Sequence, residues 1–282
     1  MMMRVFLFLL LVSVILLMAG CSQKENNFAY AKYDLDIPSS PPPAAEWWQP
    51  SPGLTWQWQL SGQFDDDIQV DVYDIDANVH KSAVDHFHQQ GSKVICYISA
   101  GSYEKWRADA DQFPDELLGN DYEGWAGEKW LDIRRIDLLA PIMQARLDEC
   151  AEKGFDAIEP DNIEIYTNET GFPLTYEDQL RYAVWLANEA HARGLAIALK
   201  NAPDQVEDLV DLYDFAITED CFYYGWCEEM RPFIQAGKVV FAAEYTDLDG
   251  DFDEYCRQSK ELGFSTILKN RNLGAWLETC PN

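Results

Sequence analysis

Gly154-Phe155-Asp156-Ala157-Ile158-Glu159-Pro160-Asp161-Asn162 is the stretch on which the fold turns. It follows an amphipathic helical pattern (137–153), runs through short apolar residues, then breaks into carboxylates and an amide around a proline. A parallel strand buried on both faces reads as a nearly continuous apolar run. Polar groups gather where such a strand surfaces at its C-terminal end, where barrels and open α/β sheets carry their chemistry. Pro160 has no N–H for a ladder, so the strand is finishing there. Glu159 and Asp161 lie two apart and, on an extended chain, point to one side. A plainer reading makes these acids helix caps or loop anchors, and the surrounding chain decides between the two.

Downstream, a loop leads to a helical pattern (176–193) closed by Gly194, then the strand LAIALK (195–200). A short helix near 205–212 precedes FAITE (215–219). A helix (228–236), the strand VVFAAE (239–244), a helix (252–262) and TILK (266–269) follow. Upstream lie VDVYD (70–74), a helix (78–90) stopped by Gly91, KVICYIS (93–99) broken by Gly101, a long insert rich in tryptophan, and WLDI (130–133). Strand, helix, glycine, strand is the rhythm of parallel βα units. Counted from Val70 there are eight, which predicts a (β/α)8 TIM-type barrel with WQWQL (56–60) as an extra N-terminal strand. A doubly wound nucleotide fold is disfavoured, because no glycine-rich phosphate loop follows the first strand.

In a barrel all strand ends converge on one mouth. Here they bring Asp74, Ser99, Asp132, Glu159 with Asp161, Lys200 with Asn201, Glu219 with Asp220, Glu244 with Tyr245, and Lys269 with Asn270. Like carboxylates crowded together repel, so a purely structural barrel has no use for them. Paired acids at a mouth point to glycoside hydrolysis, one serving as nucleophile or base and the other as proton donor. Lys200 would keep neighbouring carboxylates ionised. Asp132 and Asp220 are read as capping or loop residues.

Residues 1–20 carry one basic residue, Arg4, and an apolar run too short for a comfortable membrane span, as in an export signal. The end of that run, Leu17-Met18-Ala19-Gly20-Cys21, resembles a bacterial lipoprotein box, which implies lipid on Cys21. The mature chain is expected to be exported and lipid-anchored. Ser22 gives no sign of inner-membrane retention, which points to the outer membrane. Residues 21–52, rich in proline, read as a tether, and 53–282 as one domain. A net charge of −28 excludes nucleic acid and anionic membranes as partners of the surface and favours a cationic ligand.

Beyond Cys21 six cysteines remain, an even number that favours disulfides over metal in an exported chain. Cys221 and Cys227 enclose a short loop and are expected to pair. Cys256 and Cys280, both near the C-terminus, could pair, which would leave Cys96 with Cys150, but six cysteines allow fifteen pairings and spacing singles out only 221 with 227. The histidines show no ligand pattern; His86 and His88, two apart on a helix, face different ways. No metal and no cofactor are expected.

WQWQLSG from Trp56, VDVYDID from Val70, KVICYISAGSYE from Lys93, WLDIR from Trp130, GFDAIEPDN from Gly154, TGFPLTYEDQL from Thr170, ALKN from Ala198, TEDCFYYGWC from Thr218 and FAAEY from Phe241 together resemble glycoside hydrolase family 114, the endo-α-1,4-polygalactosaminidase-like proteins. The resemblance runs in order from about Trp56 to Tyr245. It implies a barrel that cuts inside α-1,4-linked galactosamine polymers, with Asp161 and Glu219 as the catalytic pair. We assign Asp161 as nucleophile and Glu219 as acid/base, while the sequence by itself leaves the reverse roles and an inverting pair open. Thr218-Glu219-Asp220 departs from the Asn-Glu-Gln associated with this motif, which puts the contacts beside the acid in question. Ammonium groups on a partly deacetylated chain would pair with Asp74, Glu159 or Glu244, with Tyr97, Tyr103, Trp106, Tyr223 and Tyr245 as ring platforms. The expected partner is this cationic polysaccharide, met by a monomer. Two alternatives remain: a surface protein that binds the polymer without cutting it, and a glycosidase for another amino sugar or α-galactoside.

Overall fold

The computed structural model describes Tyr33 and residues 35–281. The export segment, Cys21 and the first part of the proline-rich segment lie outside the described residues. The strands in chain order are β1 (Trp56–Gln59), β2 (Val72–Asp76), β3 (Lys93–Ser99), β4 (Ser102–Glu104), β5 (Leu118–Asp121), β6 (Glu128–Leu131), β7 (Ala157–Asp161), β8 (Ala196–Lys200), β9 (Phe215–Glu219), β10 (Val240–Tyr245), β11 (Ser265–Lys269) and β12 (Leu277–Thr279). The helices are α1 (Lys81–Gln90), α2 (Ile136–Lys153), α3 (Tyr176–Ala192), α4 (Val206–Leu209), α5 (Cys221–Tyr224), α6 (Arg231–Gln235) and α7 (Phe252–Leu262). One sheet runs β1-β2-β3-β7-β8-β9-β10-β11-β12, all parallel except the last pair. It curls into a nearly closed barrel. Across the seam, the Trp56 indole donates to the Ser265 carbonyl at 2.9 Å and Lys269 Nζ to Gln57 Oε1 at 2.6 Å.

The barrel class is as the sequence predicts, but two strands exchange places. Trp56–Gln59 is not an extra element: it pairs in parallel with β2, Trp56 opposite Val72, and is the first barrel stave. Trp130 leaves the barrel instead, on β6, the middle strand of an antiparallel sheet ordered β4-β6-β5. The reason lies in the side chains. Trp56 and Trp58 alternate into the barrel interior, where their bulk fills space that small residues on opposing strands leave open. Gln57 and Gln59 are buried because their amides reach backbone carbonyls of Ala275, Ser61 and Gln63 at 2.6–3.0 Å.

Period two along each stave builds the interior. Val72, Ile95, Ala157, Ala196 with Ala198, Phe215 with Ile217, and Phe241 with Ala243 form one apolar core inside the barrel. The other faces pack against the helices in a second core. Continuing the inward period brings Asp74, Tyr97, Glu159 with Asp161, Lys200, Glu219 and Tyr245 onto the apolar layer at the C-terminal end. Helix α3 starts on that side with a capping box between Thr175 and Asp178, whose backbone-to-side-chain bonds measure 2.9 and 3.2 Å. Gly154 ends α2 with φ 87°, which suits a residue without Cβ. Gly101 is required by proximity: a Cβ there would lie 1.7 Å from the Asn162 carbonyl oxygen.

Three disulfides form: Cys96–Cys150 between β3 and α2, Cys221–Cys227 across α5, and Cys256–Cys280 between α7 and the C-terminus. The proline-rich segment, read from sequence as a tether up to residue 52, is seated on the domain from Leu35 onward. Tyr33 meets the ring of Tyr176 at 5.9 Å, at the first turn of α3, and Arg181 donates to the Asp36 carbonyl. Ala44 N–H then bonds the His191 carbonyl at 2.8 Å, at the far end of α3. Trp47 stacks on His191 at 4.2 Å and donates to Asp214 at 2.8 Å. This strap therefore runs the length of α3 from the mouth side to the base. Its apolar residues Leu35 and Ile37, invisible to a periodicity test, pack on the outer core.

Candidate active site

Four consecutive staves each end on a residue of one cluster: β7 on Asp161, β8 on Lys200, β9 on Glu219 and β10 on Tyr245. Lys200 is its centre. Its ammonium lies 2.8 Å from Glu159 Oε1, 2.8 Å from Asp161 Oδ1 and 3.2 Å from Glu219 Oε2. The face of Trp58 supports it from a fourth side, 4.5 Å from the ring centroid. The contacting oxygens of Asp161 and Glu219 are thus no more than about 6 Å apart. Each of these acids has a tyrosine on its other oxygen. Tyr97 OH donates to Asp161 Oδ2 at 2.8 Å, and Tyr245 OH donates to Glu219 Oε1. Burial and Asp161 raise the Tyr97 phenol, and burial and Glu219 raise that of Tyr245, so both hydroxyls stay donors.

Burial opposes the charge on Lys200, which is 1% exposed, yet the surrounding carboxylates push its pKa well above the ordinary lysine value. Burial likewise works against an ionised Asp161. The charge of Lys200, with hydrogen bonds from Lys200, Tyr97 and the Asn162 backbone, nonetheless holds Asp161 below the ordinary aspartate value. Glu159 goes the other way, raised by desolvation in the barrel floor.

The turns leaving these staves are strained. Asn162, Asn201 and Asp220, each the residue after a stave end, have φ of 61°, 49° and 54°, and Ala202 has φ 50°. Asn and Asp tolerate the left-handed region better than most residues, and such strain persists only where surroundings enforce it. The enforcement is visible. The Asn162 amide donates to Ser99 Oγ at 3.2 Å and Ser102 Oγ at 3.1 Å. Asn201 accepts the Glu219 N–H at 2.9 Å and donates to Glu164 Oε1 at 2.8 Å. Burial pushes the Glu164 carboxyl up to about 7. Arg271 stacks on Tyr245 at 3.7 Å and bonds Asp220 at 2.8 Å.

The structure brings together Asp161, Glu219, Glu159, Lys200, Tyr97 and Tyr245. Asp74 lies beneath them, fully buried. Glu244 does not join them. Its carboxylate turns outward to accept the Phe222 and Tyr223 N–H groups at 2.9 and 3.2 Å, so it holds the disulfide loop rather than facing the mouth. Asp132 is spent on the Arg134 guanidinium and backbone. Sequence reasoning missed Trp58, Asn162, Glu164 and Arg271. Trp58 was legible from the inward period of β1, and Glu164 from its place just past a stave end; nothing local marks Arg271. The large apolar side chains exposed among the described residues, Trp106, Trp125, Tyr223, Tyr224 and Trp276, all sit on connections leaving C-terminal stave ends, around the mouth.

The sequence profile of the glycoside-hydrolase family GH114 matches residues 38–282. Among solved structures, Aspergillus fumigatus Ega3 in complex with galactosamine superposes with a TM-score of 0.79 at 39% identity, over 84% of this chain and 99% of that one. The glycoside hydrolase domain of PelA from Pseudomonas aeruginosa shares the fold at a TM-score of 0.61 and 13% identity, over 80% of this chain and 97% of that one. Among curated protein sequences none matches.

Proposed function

The chain belongs to glycoside-hydrolase family GH114, and on that premise we propose that it cuts within α-1,4-linked, partly deacetylated galactosamine polymers by a retaining two-carboxylate mechanism. The observation that carries this reading is the single ammonium of Lys200 held between Asp161 and Glu219. Retaining enzymes hold their carboxyls about 5–5.5 Å apart and inverting enzymes about 6.5–9.5 Å apart. An upper bound of about 6 Å between contacting oxygens is compatible with the first, and the anomeric outcome decides between them. Asp161, kept ionised by Lys200, attacks C1 while Glu219 protonates the departing glycosidic oxygen. Glu219, now a carboxylate, then takes a proton from water, whose oxygen displaces Asp161 from C1. The anionic mouth favours the ammonium groups of such a polymer, and the rim aromatics offer faces for successive rings. Galactosamine bound to the fungal relative supports the sugar assignment. Export, and anchoring through Cys21, belong to the same proposal.

The test incubates the mature chain with acetylated and deacetylated α-1,4-galactosamine oligomers beside Asp161→Asn and Glu219→Gln. Products are followed by mass spectrometry and anomeric outcome by NMR. Internal cleavage of deacetylated chains with net retention is expected, falling by about 10³-fold or more in either variant. Tight binding without cleavage would instead indicate a surface binding protein.

A further inference from the structure

Beneath Lys200 two carboxyls, Asp74 and Glu159, lie against each other with relative exposures of 0%. Three of their four oxygens, both of Asp74 and Glu159 Oε2, receive no hydrogen bond from any N–H or from any hydroxyl among the described residues. Lys200 donates to Glu159 Oε1 and Asp161 Oδ1 and forms an ion pair with Glu219 at 3.2 Å, so its contacts do not include these three oxygens. The indole N–H of Trp58, on the strand position paired with Asp74, is itself unpartnered and reaches neither carboxyl. Two adjacent carboxylates in a dry floor repel, and each would leave lone pairs unsatisfied. One proton between them removes the repulsion and engages two of the three unpartnered oxygens in a hydrogen bond, as in enzymes that keep a buried aspartic acid neutral to donate one.

We propose that Asp74 is a positioning residue that stays protonated and donates to Glu159, leaving Glu159 as the one anion beneath Lys200. The charged groups facing Asp74 are Glu159 and Asp161 from β7 and Lys200 from β8; its neighbours on β1 and β3, Trp58 and Ile95, carry no charge. Burial, then the charge of Glu159, act in the direction the geometry requires. The consequence is mechanical. Were Asp74 ionised, two anions would draw Lys200 down into the floor, away from the acids at the mouth. With Asp74 neutral, Lys200 is balanced between one anion below and Asp161 and Glu219 above. The role rests on the reading of those two as the reacting carboxylates, but the proton itself does not.

The experiment uses the full mature chain and two variants, Asp74→Asn and Asp74→Ala. Infrared difference spectra near neutral pH, wild type minus Asp74→Asn, are expected to show a protonated-carboxyl C=O band that shifts in heavy water. Other protonated acids cancel in the difference. In turnover of galactosamine oligomers, Asp74→Ala is expected to lose about 10²-fold in kcat with little change in KM, and Asp74→Asn, a neutral donor of the same shape, to restore most of it. Absence of the band, its persistence in Asp74→Asn, or an Asp74→Asn variant as slow as Asp74→Ala would each overturn the proposal. If the wild type cleaves nothing, the substrate reading fails while the band still decides whether Asp74 holds the proton.

Discussion

Two lysines end barrel staves and are equally out of water: Lys200 on β8 and Lys269 on β11, with exposures of 1% and 0%. Their surroundings are opposite. Lys200 meets three carboxylates and an aromatic face, and its charge is locked in. Lys269 donates to Gln57 Oε1 at 2.6 Å and the Gly274 carbonyl at 2.8 Å, neutral acceptors, and burial lowers its pKa to about 7. Near neutrality it verges on an uncharged amine, whose two N–H groups those two acceptors satisfy. The same side chain on the same kind of stave is thus a fixed cation among the carboxylates of the mouth and a seam fastener where the barrel closes. Burial alone does not set the charge of a lysine; the partners do.

The largest expected effect separates the two. Lys200→Met leaves Glu159, Asp161 and Glu219 crowded without a counter-charge, which costs on the order of 3–5 kcal/mol. Turnover falls at least about 10²-fold. Denaturant titration and oligomer cleavage check both, and a Lys200→Met variant as stable as wild type breaks the comparison. The disulfides sharpen it, because each lysine has one nearby. Cys256–Cys280 ties the chain after β12, partner of β11, over a sequence separation of 24. Cys221–Cys227 follows Glu219 directly, with a separation of 6. Loop-closure entropy predicts a loss of about 3.5 kcal/mol for Cys256→Ser and about 2.4 kcal/mol for Cys221→Ser. The smaller stability loss should carry the larger fall in kcat, because only the second loop borders Glu219.

The smallest effect is a slope. The folded pKa of Lys269 lies below its unfolded value, 10.5 falling to about 7. Between these values the unfolded chain binds more protons, so this contribution grows as pH rises from about 7 to about 10.5 and is lost on the way down. Lys269→Met should lack that slope in thermal melts across the window while keeping its activity. Parallel pH dependences in wild type and variant would show that Lys269 is charged in the fold.

Much of the barrel was legible because apolar run, helix and glycine repeat in order, and because a stave that surfaces must expose polar ends. The count of eight was right for a reason the pattern did not contain. Trp56–Gln59 entered and the Trp130 segment left, both ahead of β7, so Asp161 and Glu219 still end the fourth and sixth staves. Local alternation cannot reveal which strand a neighbour will choose; that is settled by the volume of two tryptophans inside the barrel. Glu244 was misjudged by parity. It ends an apolar run, but Tyr245 is the residue in phase with Phe241 and Ala243, and one step along a strand turns a side chain to the other face. The strap escaped notice because its contacts are single side chains on irregular backbone, with no period to read.

That strap sets the side of the domain from which the upstream chain departs. Tyr33 rests at the first turn of α3, on the side where the staves end in acids, and the chain then descends toward the base. Whatever fastens the protein upstream pulls on its working face. From Cys21 to Tyr33 the chain spans at most roughly 40 Å. Under the anchoring proposed at Cys21, a domain leashed so short from its open side would graze the layer it stands on and meet polymer strands as they lie along or emerge from that surface.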